Sequence, residues 1–254
     1  MVKYILILVF LLILYLGYQL RFVKIKHLEI PSSKISKDYT ILHMTDLHVN
    51  PFLDYPKIQR AIEKYQPDIL CFTGDLIHNK AQDLNKIGQK LSFLKEYPFP
   101  KFFIYGNHDL WSKKEVRSFL ESYGFQVLED QLYPYNEEIS VLGYSHSTRL
   151  HDFLTKDETF TLSLLHDPMN FIQSHKTSDL ILCGHTHGGQ VRFPFIGALY
   201  IPNQEYFPKY EKGLYYTVHG PIHISSGLGY SELPLRFLNP PEITFIHLKQ
   251  KNAL

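Results

Sequence analysis

Only two cysteines, Cys71 and Cys183, occur in the 254 residues, and each ends an apolar run. Two such positions cannot frame a disulfide-stapled fold, so both read as small buried thiols. An excess of one charge is lacking too. The 26 Lys and Arg nearly balance 25 Asp and Glu, for a formal net charge of +1. With no Lys/Arg-rich stripe either, a nucleic-acid partner is not expected. There is no internal repeat and no low-complexity tract. Histidine, by contrast, is plentiful: 14 residues, more than a chain of this size needs for packing.

One long apolar run is present, Tyr4 to Leu20, which carries no charge. As a helix it would span roughly 25 Å, at the lower edge of what crosses a bilayer. A cleaved signal peptide is the rival. Against it, the run is long for a signal core, Lys3 is its only preceding basic side chain, and neither an A-x-A-like site nor a twin-arginine pair is found. Residues 1–21 are therefore expected to form an uncleaved single-pass membrane anchor and 22–37 a linker, with the catalytic domain at 38–254. Arg21, Lys24, Lys26, Lys34 and Lys37 follow the run, so the positive-inside rule favours a cytoplasmic catalytic domain.

Beyond the anchor, apolar runs alternate with helical spacing. Tyr39–Met44, Asp68–Phe72 and Lys101–Tyr105 read as strands. Pro56–Gln66 reads as a helix with Ile58, Ala61, Ile62 and Tyr65 on one face, and a second helix is expected within Ala81–Tyr97. Ser112 and Glu115 form a capping-box pattern, with Gly124 as a stop. Strands then follow in succession: Ile139–Tyr144, Phe160–Leu165, Leu180–Cys183, Gln190–Phe193, Leu214–Val218, Ile222–Ser225 and Ile243–Leu248. An alternating half followed by a β-rich half predicts an α/β protein of two sheets packed face to face with helices outside.

Five short blocks close these runs: Asp46-Leu47-His48, Gly74-Asp75, Gly106-Asn107-His108-Asp109, His166 and Gly184-His185-Thr186-His187. Alone, each has a bland reading. Gly-Asp marks turns, D-x-H is common, and a lone histidine is usually structural. The two histidines between glycines after Leu180–Cys183 are the sharpest, because no packing role suits them. Together, carboxylate, imidazole and one amide suit a borderline divalent transition metal better than Mg²⁺ or a Cys-based zinc site. Blocks at successive strand ends also suit a site at one edge of an open α/β sheet.

In order and type the blocks resemble the calcineurin-like metallophosphoesterases. The resemblance implies a four-layer α/β/β/α sandwich of two mixed sheets and a pair of divalent metal ions, Mn²⁺, Fe²⁺ or Zn²⁺. It implies a first metal held by Asp46, His48, Asp75 and His187. Asp75 would bridge to a second metal completed by Asn107, His166 and His185. His108 would face the substrate and assist the leaving group, with Asp109 orienting it. The implied reaction is hydrolysis of a phosphodiester or pyrophosphate by metal-activated hydroxide.

Protein phosphatases of this superfamily extend the second block as G-D-x-x-D-R-G. Here the run is Gly74-Asp75-Leu76-Ile77-His78-Asn79-Lys80, which argues against a phosphoprotein substrate. Gly184 to Gln190 and the tail around Gly227-Leu-Gly, Leu233-Pro-Leu-Arg236-Phe and Pro240-Pro-Glu242-Ile resemble the bacterial membrane-associated phosphodiesterase branch. That branch commonly has arginine where this chain has Ser226, so Arg192 or Arg236 would have to grip phosphate. The aromatic stretch Arg192–Ile201, with Tyr206, Phe207 and Tyr210, is either a core hairpin or an apolar wall facing the bilayer. The second option makes a lipid-linked phosphoester the substrate to test first. Within the similar branch, hydrolysis of UDP-2,3-diacylglucosamine at its pyrophosphate is the alternative. A non-catalytic scaffold is the alternative from another class, but such a protein would be expected to have lost ligands, and all seven are here.

Overall fold

The computed structural model describes all residues except 79–83, 146–149, 202–203, 205, 232 and 252–254. Among the described residues, nine strands precede the last of the five blocks: β1 (Lys24–Ser32), β2 (Tyr39–Met44), β3 (Ile69–Phe72), β4 (Lys101–Phe103), β5 (Phe125–Val127), β6 (Gln131–Pro134), β7 (Ile139–Gly143), β8 (Phe160–Leu164) and β9 (Leu180–Cys183). A two-stranded hairpin, β10 (Arg192–Phe193) and β11 (Gly197–Ala198), follows. The chain ends with β12 (Gly213–Thr217), β13 (Gly220–Ile224) and β14 (Glu242–Gln250). The helices are α1 (Val2–Arg21), α2 (Tyr55–Tyr65), α3 (Leu84–Leu91), α4 (Lys113–Glu121) and α5 (Pro168–Ile172). The second helix expected within Ala81–Tyr97 is α3; the first residues of that span, 81–83, lie outside the described residues.

Two mixed six-stranded sheets result, ordered β1-β14-β2-β3-β4-β5 and β12-β13-β9-β8-β7-β6. Strands β2 to β5 run parallel to one another, as do β13, β9, β8 and β7. Period-two alternation divides each strand between two cores. On β2, Leu42 and Met44 join Ile58 and Ile62 of α2, Ile87 and Leu91 of α3 and Val116 and Leu120 of α4. Ile41, on the opposite face, packs with Leu162, Leu164 and Leu182 of the second sheet. Ile181 and Cys183 turn outward to meet Phe171 of α5. Three apolar cores thus separate four layers, as the α/β/β/α expectation requires. Cys71 and Cys183 are buried thiols, and burial raises both pKa values.

Residues 22–37, expected as a linker, are instead largely β1, which pairs in parallel with β14 along its whole length from Lys24 opposite Glu242. Its Lys and Glu residues disguised it. It is an edge strand that buries little of its outer side, and Pro31 is tolerated there because one edge needs no donor. Nor is α1 wholly apart from the fold. Its last turn buries Gln19 and Leu20. Asn50 Nδ2 donates to the Leu20 carbonyl (3.2 Å), and the Asp54 amide donates to the Arg21 carbonyl (3.2 Å). Ser112 precedes α4 but makes no capping hydrogen bond, since Asp109–Ser112 already form a 3₁₀ turn.

Candidate active site

The parallel strands β2, β3 and β4 of one sheet and β8 and β9 of the other deliver the five blocks to adjoining strand ends. Backbone bonds then lock the loops to one another. The Asp46 amide donates to the Gly74 carbonyl (2.9 Å), and the Gly184 amide donates to the His166 carbonyl (3.0 Å). The His185 amide donates to the Asp46 carboxylate (3.0 Å to Oδ2), tying one sheet to the other. The His108 amide donates to Asp75 Oδ1 (2.9 Å).

These connections require backbone that sequence patterning does not reveal. Asp46, His48, Asp75, His185 and His187 all have positive φ, between 43° and 70°. Non-glycine residues adopt this left-handed region rarely and at a cost of roughly 1–3 kcal/mol each, so its concentration here marks a functional constraint. Glycine is needed for close approach at two places. A Cβ on Gly106 would overlap the Asp75 carboxylate, and one on Gly184 would overlap Thr45 and Asp46.

The structure brings all seven expected ligands together. His48 Nε2 lies 3.1 Å from His187 Nε2 and 3.5 Å from Asp75 Oδ2. Asp46 Oδ1 is 3.6 Å from His187 Nε2. Asp75 Oδ2 is also 3.2 Å from His166 Nε2, which lies 3.1 Å from Asn107 Oδ1. His185 Nδ1 is 3.1 Å from the same amide oxygen. Asp75 therefore stands between the two groups. His166 Nδ1 faces the Thr73 carbonyl at 2.7 Å, a contact that fixes the ring and leaves Nε2 toward Asp75 and Asn107. His185 Nε2 points to Asp167, 3.8 Å away.

This donor set fits divalent cations. Two carboxylates, four imidazoles and an amide oxygen crowd together with almost no exposure at Asp46, Asp75 and His166. Burial pushes Asp46 up to about 7 and His48 down to about 3. For His166 burial works downward, but the carboxylates of Asp75 and Asp46 override it and raise the ring to about 10. Asp75 is held low despite burial, chiefly by His166. The cluster thus requires positive charge among its acceptors, which metal cations supply without protonating the ligands.

His108 lies beside the cluster, its ring 5.0 Å from that of His48. Its Nδ1 is 2.6 Å from the His78 carbonyl, and the two rings stack with centroids 4.7 Å apart. His78 was not singled out by sequence, although it lies three residues after Asp75. With His48 and His108 it forms a further cluster of potential metal-binding nitrogens.

Three expected roles need correction. The Asp109 carboxylate, expected to orient His108, accepts bonds from the amides of Asp75 (2.7 Å), Leu76 (2.9 Å), Ile77 (3.3 Å) and Gly106 (2.9 Å). It braces two ligand loops against each other. Arg236 cannot grip phosphate, because it is fully buried. It donates to the carbonyls of Gly229 (2.7 Å), Asn239 (3.0 Å) and Ser226 (2.6 Å). Arg192 is paired with Glu211 and donates to the Gly188 carbonyl (3.2 Å), bracing the loop that carries His187. The aromatic stretch is not a core hairpin either: Phe195, Ile196, Tyr200, Tyr206 and Phe207 are exposed, while Ala198 and Ile201 anchor it.

The Metallophos family model, described as calcineurin-like phosphoesterase, matches residues 39–189, more than half of the chain. The Bacillus subtilis protein named Uncharacterized metallophosphoesterase YkuE is 31% identical over 245 residues, covering 84% of this chain and 80% of its own. An Aquifex aeolicus protein named Uncharacterized metallophosphoesterase is 28% identical, covering 91% and 93%. The zebrafish (Danio rerio) protein named Transmembrane protein with metallophosphoesterase domain is 26% identical, covering 89% of this chain and 57% of its own. The strand-end cluster of aspartates and histidines and the match through all five blocks lead to one conclusion: this chain belongs to the calcineurin-like phosphoesterase family, hydrolases acting on phosphoester bonds.

Proposed function

We propose that the chain is a dinuclear metal-dependent phosphodiesterase acting on a lipid-linked phosphodiester or pyrophosphate at a membrane surface. The observation that carries the reaction is the continuous chain of donor atoms from His187 through His48, Asp75, His166 and Asn107 to His185, each link 3.1 to 3.5 Å. Asp46, His48, Asp75 and His187 would hold one cation; Asp75, Asn107, His166 and His185 the other. When bound, two such ions polarise phosphoryl oxygens and lower the pKa of water toward neutrality.

The protein's own groups do the rest. Asp75 bridges the two ligand sets and, through Oδ1, holds the His108 amide. His108 donates its Nε2 proton to the oxygen that leaves phosphorus, and the His78 carbonyl orients its ring through Nδ1. Water supplies the hydroxide that bonds to phosphorus as the bond to the leaving oxygen breaks. Its other proton is released to solvent.

The membrane part of the reading rests on α1, a 20-residue helix long and apolar enough to cross a bilayer and almost unburied. The flanking basic residues favour a cytoplasmic catalytic domain. The exposed hairpin stands beside this helix, for Phe193 packs on Phe237 (6.0 Å) and Phe237 on Tyr15 of α1 (5.7 Å). The test is phosphorus NMR of products from soluble diesters, lipid-linked diesters and UDP-2,3-diacylglucosamine, with Mn²⁺ added to full-length protein in detergent. The reading expects metal-dependent cleavage with preference for lipid-linked substrates. Faster turnover of every soluble diester would remove the lipid link, and no metal-dependent turnover of any substrate would remove the reaction.

A further inference from the structure

The turn of the β10–β11 hairpin is Pro194-Phe195-Ile196, and no charged residue occurs from Phe193 to Ile201. Turns in water ordinarily draw on Gly, Asn, Asp and Ser, whose conformations and side chains suit exposed backbone. Here Phe193, Phe195, Ile196, Leu199 and Tyr200 are all exposed, Phe195 completely. An apolar surface of this kind marks an interaction site. Phe195 also takes a positive φ of 66°, which a bulky residue adopts rarely. The root of the hairpin, in contrast, is polar and fixed. Glu211 pairs with Arg192 and accepts from the Ala198 amide (2.6 Å), while the Arg192 amide donates to the Phe237 carbonyl (3.0 Å). An apolar tip thus stands on a braced base.

The level of the hairpin along α1 identifies what the tip meets. A 20-residue helix measures about 30 Å, the thickness of a bilayer's hydrocarbon core. Tyr15, Tyr18 and Phe22 lie at the C-terminal end of α1, where Arg21 and Lys24 begin the basic flank. That order matches the aromatic belt of a membrane–water interface. Phe237 rests on Tyr15, and Phe193 on Phe237. Tyr15 lies roughly 9 Å along the axis from Arg21, and interfacial elements reach about 5–10 Å into the headgroup boundary. We propose that the tip, Pro194-Phe195-Ile196, inserts into the leaflet that receives the C-terminal end of α1. The occupant of this apolar surface is lipid, by its continuity with the bilayer-length helix. Arg192 at the hairpin's base donates to the Gly188 carbonyl (3.2 Å), so a tip set in lipid holds the His187 loop next to the membrane. The proposal rests on the membrane part of the reading above and adds the surface that meets the lipid.

The experiment uses full-length protein in dioleoylphosphatidylcholine vesicles, spin-labelled on a single introduced thiol: Leu8→Cys, Phe195→Cys or Val218→Cys. Cys71 and Cys183 are buried, so the introduced thiol takes the nitroxide. All three positions are exposed, so no core contact is lost. Leu8 lies within α1. Val218 lies in the β12–β13 turn, at the opposite end of its sheet from the ligands, because β13 runs parallel to β9 and antiparallel to β12. Power-saturation EPR gives the collision rate with O₂, which concentrates in lipid, relative to that with a water-soluble nickel chelate. For Phe195→Cys the proposal expects a ratio about threefold or more above that of Val218→Cys, as for an interfacial element, with Leu8→Cys higher still. Equal ratios at positions 195 and 218, with Leu8→Cys in lipid, would overturn the proposal and leave the anchor standing. Shielding of position 195 from both reagents, with spin–spin broadening, would overturn it in favour of a second copy of the chain. Water-like ratios at all three positions would remove the membrane reading itself, and the proposal with it.

Discussion

Replacing Asp109 by alanine separates a brace from a catalytic partner. Its carboxylate is fully buried and accepts four backbone amides from two loops, those carrying Asp75 and Gly106. A buried donor left without an acceptor costs about 1–3 kcal/mol. Four donors at the low end of that range, where water enters the vacated space, give roughly 4 kcal/mol. For a chain of this size each kcal/mol moves the melting temperature by about 2–4 °C, so Asp109→Ala should melt roughly 8–16 °C below wild type. Circular dichroism melts in excess chelator remove any contribution from bound metal. Asp109→Asn, which keeps one acceptor oxygen, should fall between the two. If Asp109→Ala melts within 2 °C of wild type and still loses its activity, the bracing argument fails and Asp109 acts on the chemistry itself.

Removing the His108 ring should slow alkyl diesters by 10²–10⁴-fold and nitrophenyl diesters far less, because a good leaving group needs no proton; equal losses for both, measured as kcat, would deny the acid role. His43 and His223 meet between the sheets at 2.9 Å, and burial pushes His223 down to about 4 and His43 down as well. The unfolded chain therefore binds more protons, and stability is full above pH 6.5 and declines as pH falls toward 4. The His223 contribution is on the order of 3 kcal/mol. Urea melts across that range should show the decline, and His223→Asn should flatten it; a slope identical to wild type would refute the assignment. Gly184→Ala should abolish metal binding measured by isothermal titration calorimetry, since its Cβ would overlap Thr45 and Asp46; unchanged affinity would show that the Asp46 loop can yield.

The seven candidate ligands were readable because their blocks end apolar runs, and parallel strands put such ends side by side. His185 and His187 stood out because glycines flank them where packing offers no reason for histidine. What the sequence hid was backbone. Asp109 is defined by four amides and Arg236 by carbonyls, partners present at every residue, so neither role leaves a compositional trace. The first strand was obscured because an edge strand with Lys24, Lys26 and Glu29 on it carries little apolar alternation. The docking of α1 rests on single contacts such as the Asn239 amide donating to Gln19 Oε1 (3.1 Å). Asn239 Nδ2 in turn donates to the His187 carbonyl (2.7 Å). That relay joins α1 to the loop that carries His187, and no local pattern announces it.

The central claim is that Asp75 bridges two cations held by seven side chains. Anomalous diffraction from crystals grown with Mn²⁺ tests it most directly. Two peaks are expected on either side of Asp75, one against Asp46, His48 and His187 and the other against Asn107, His166 and His185. A single peak, or ions held only by His48, His78 and His108, would contradict it.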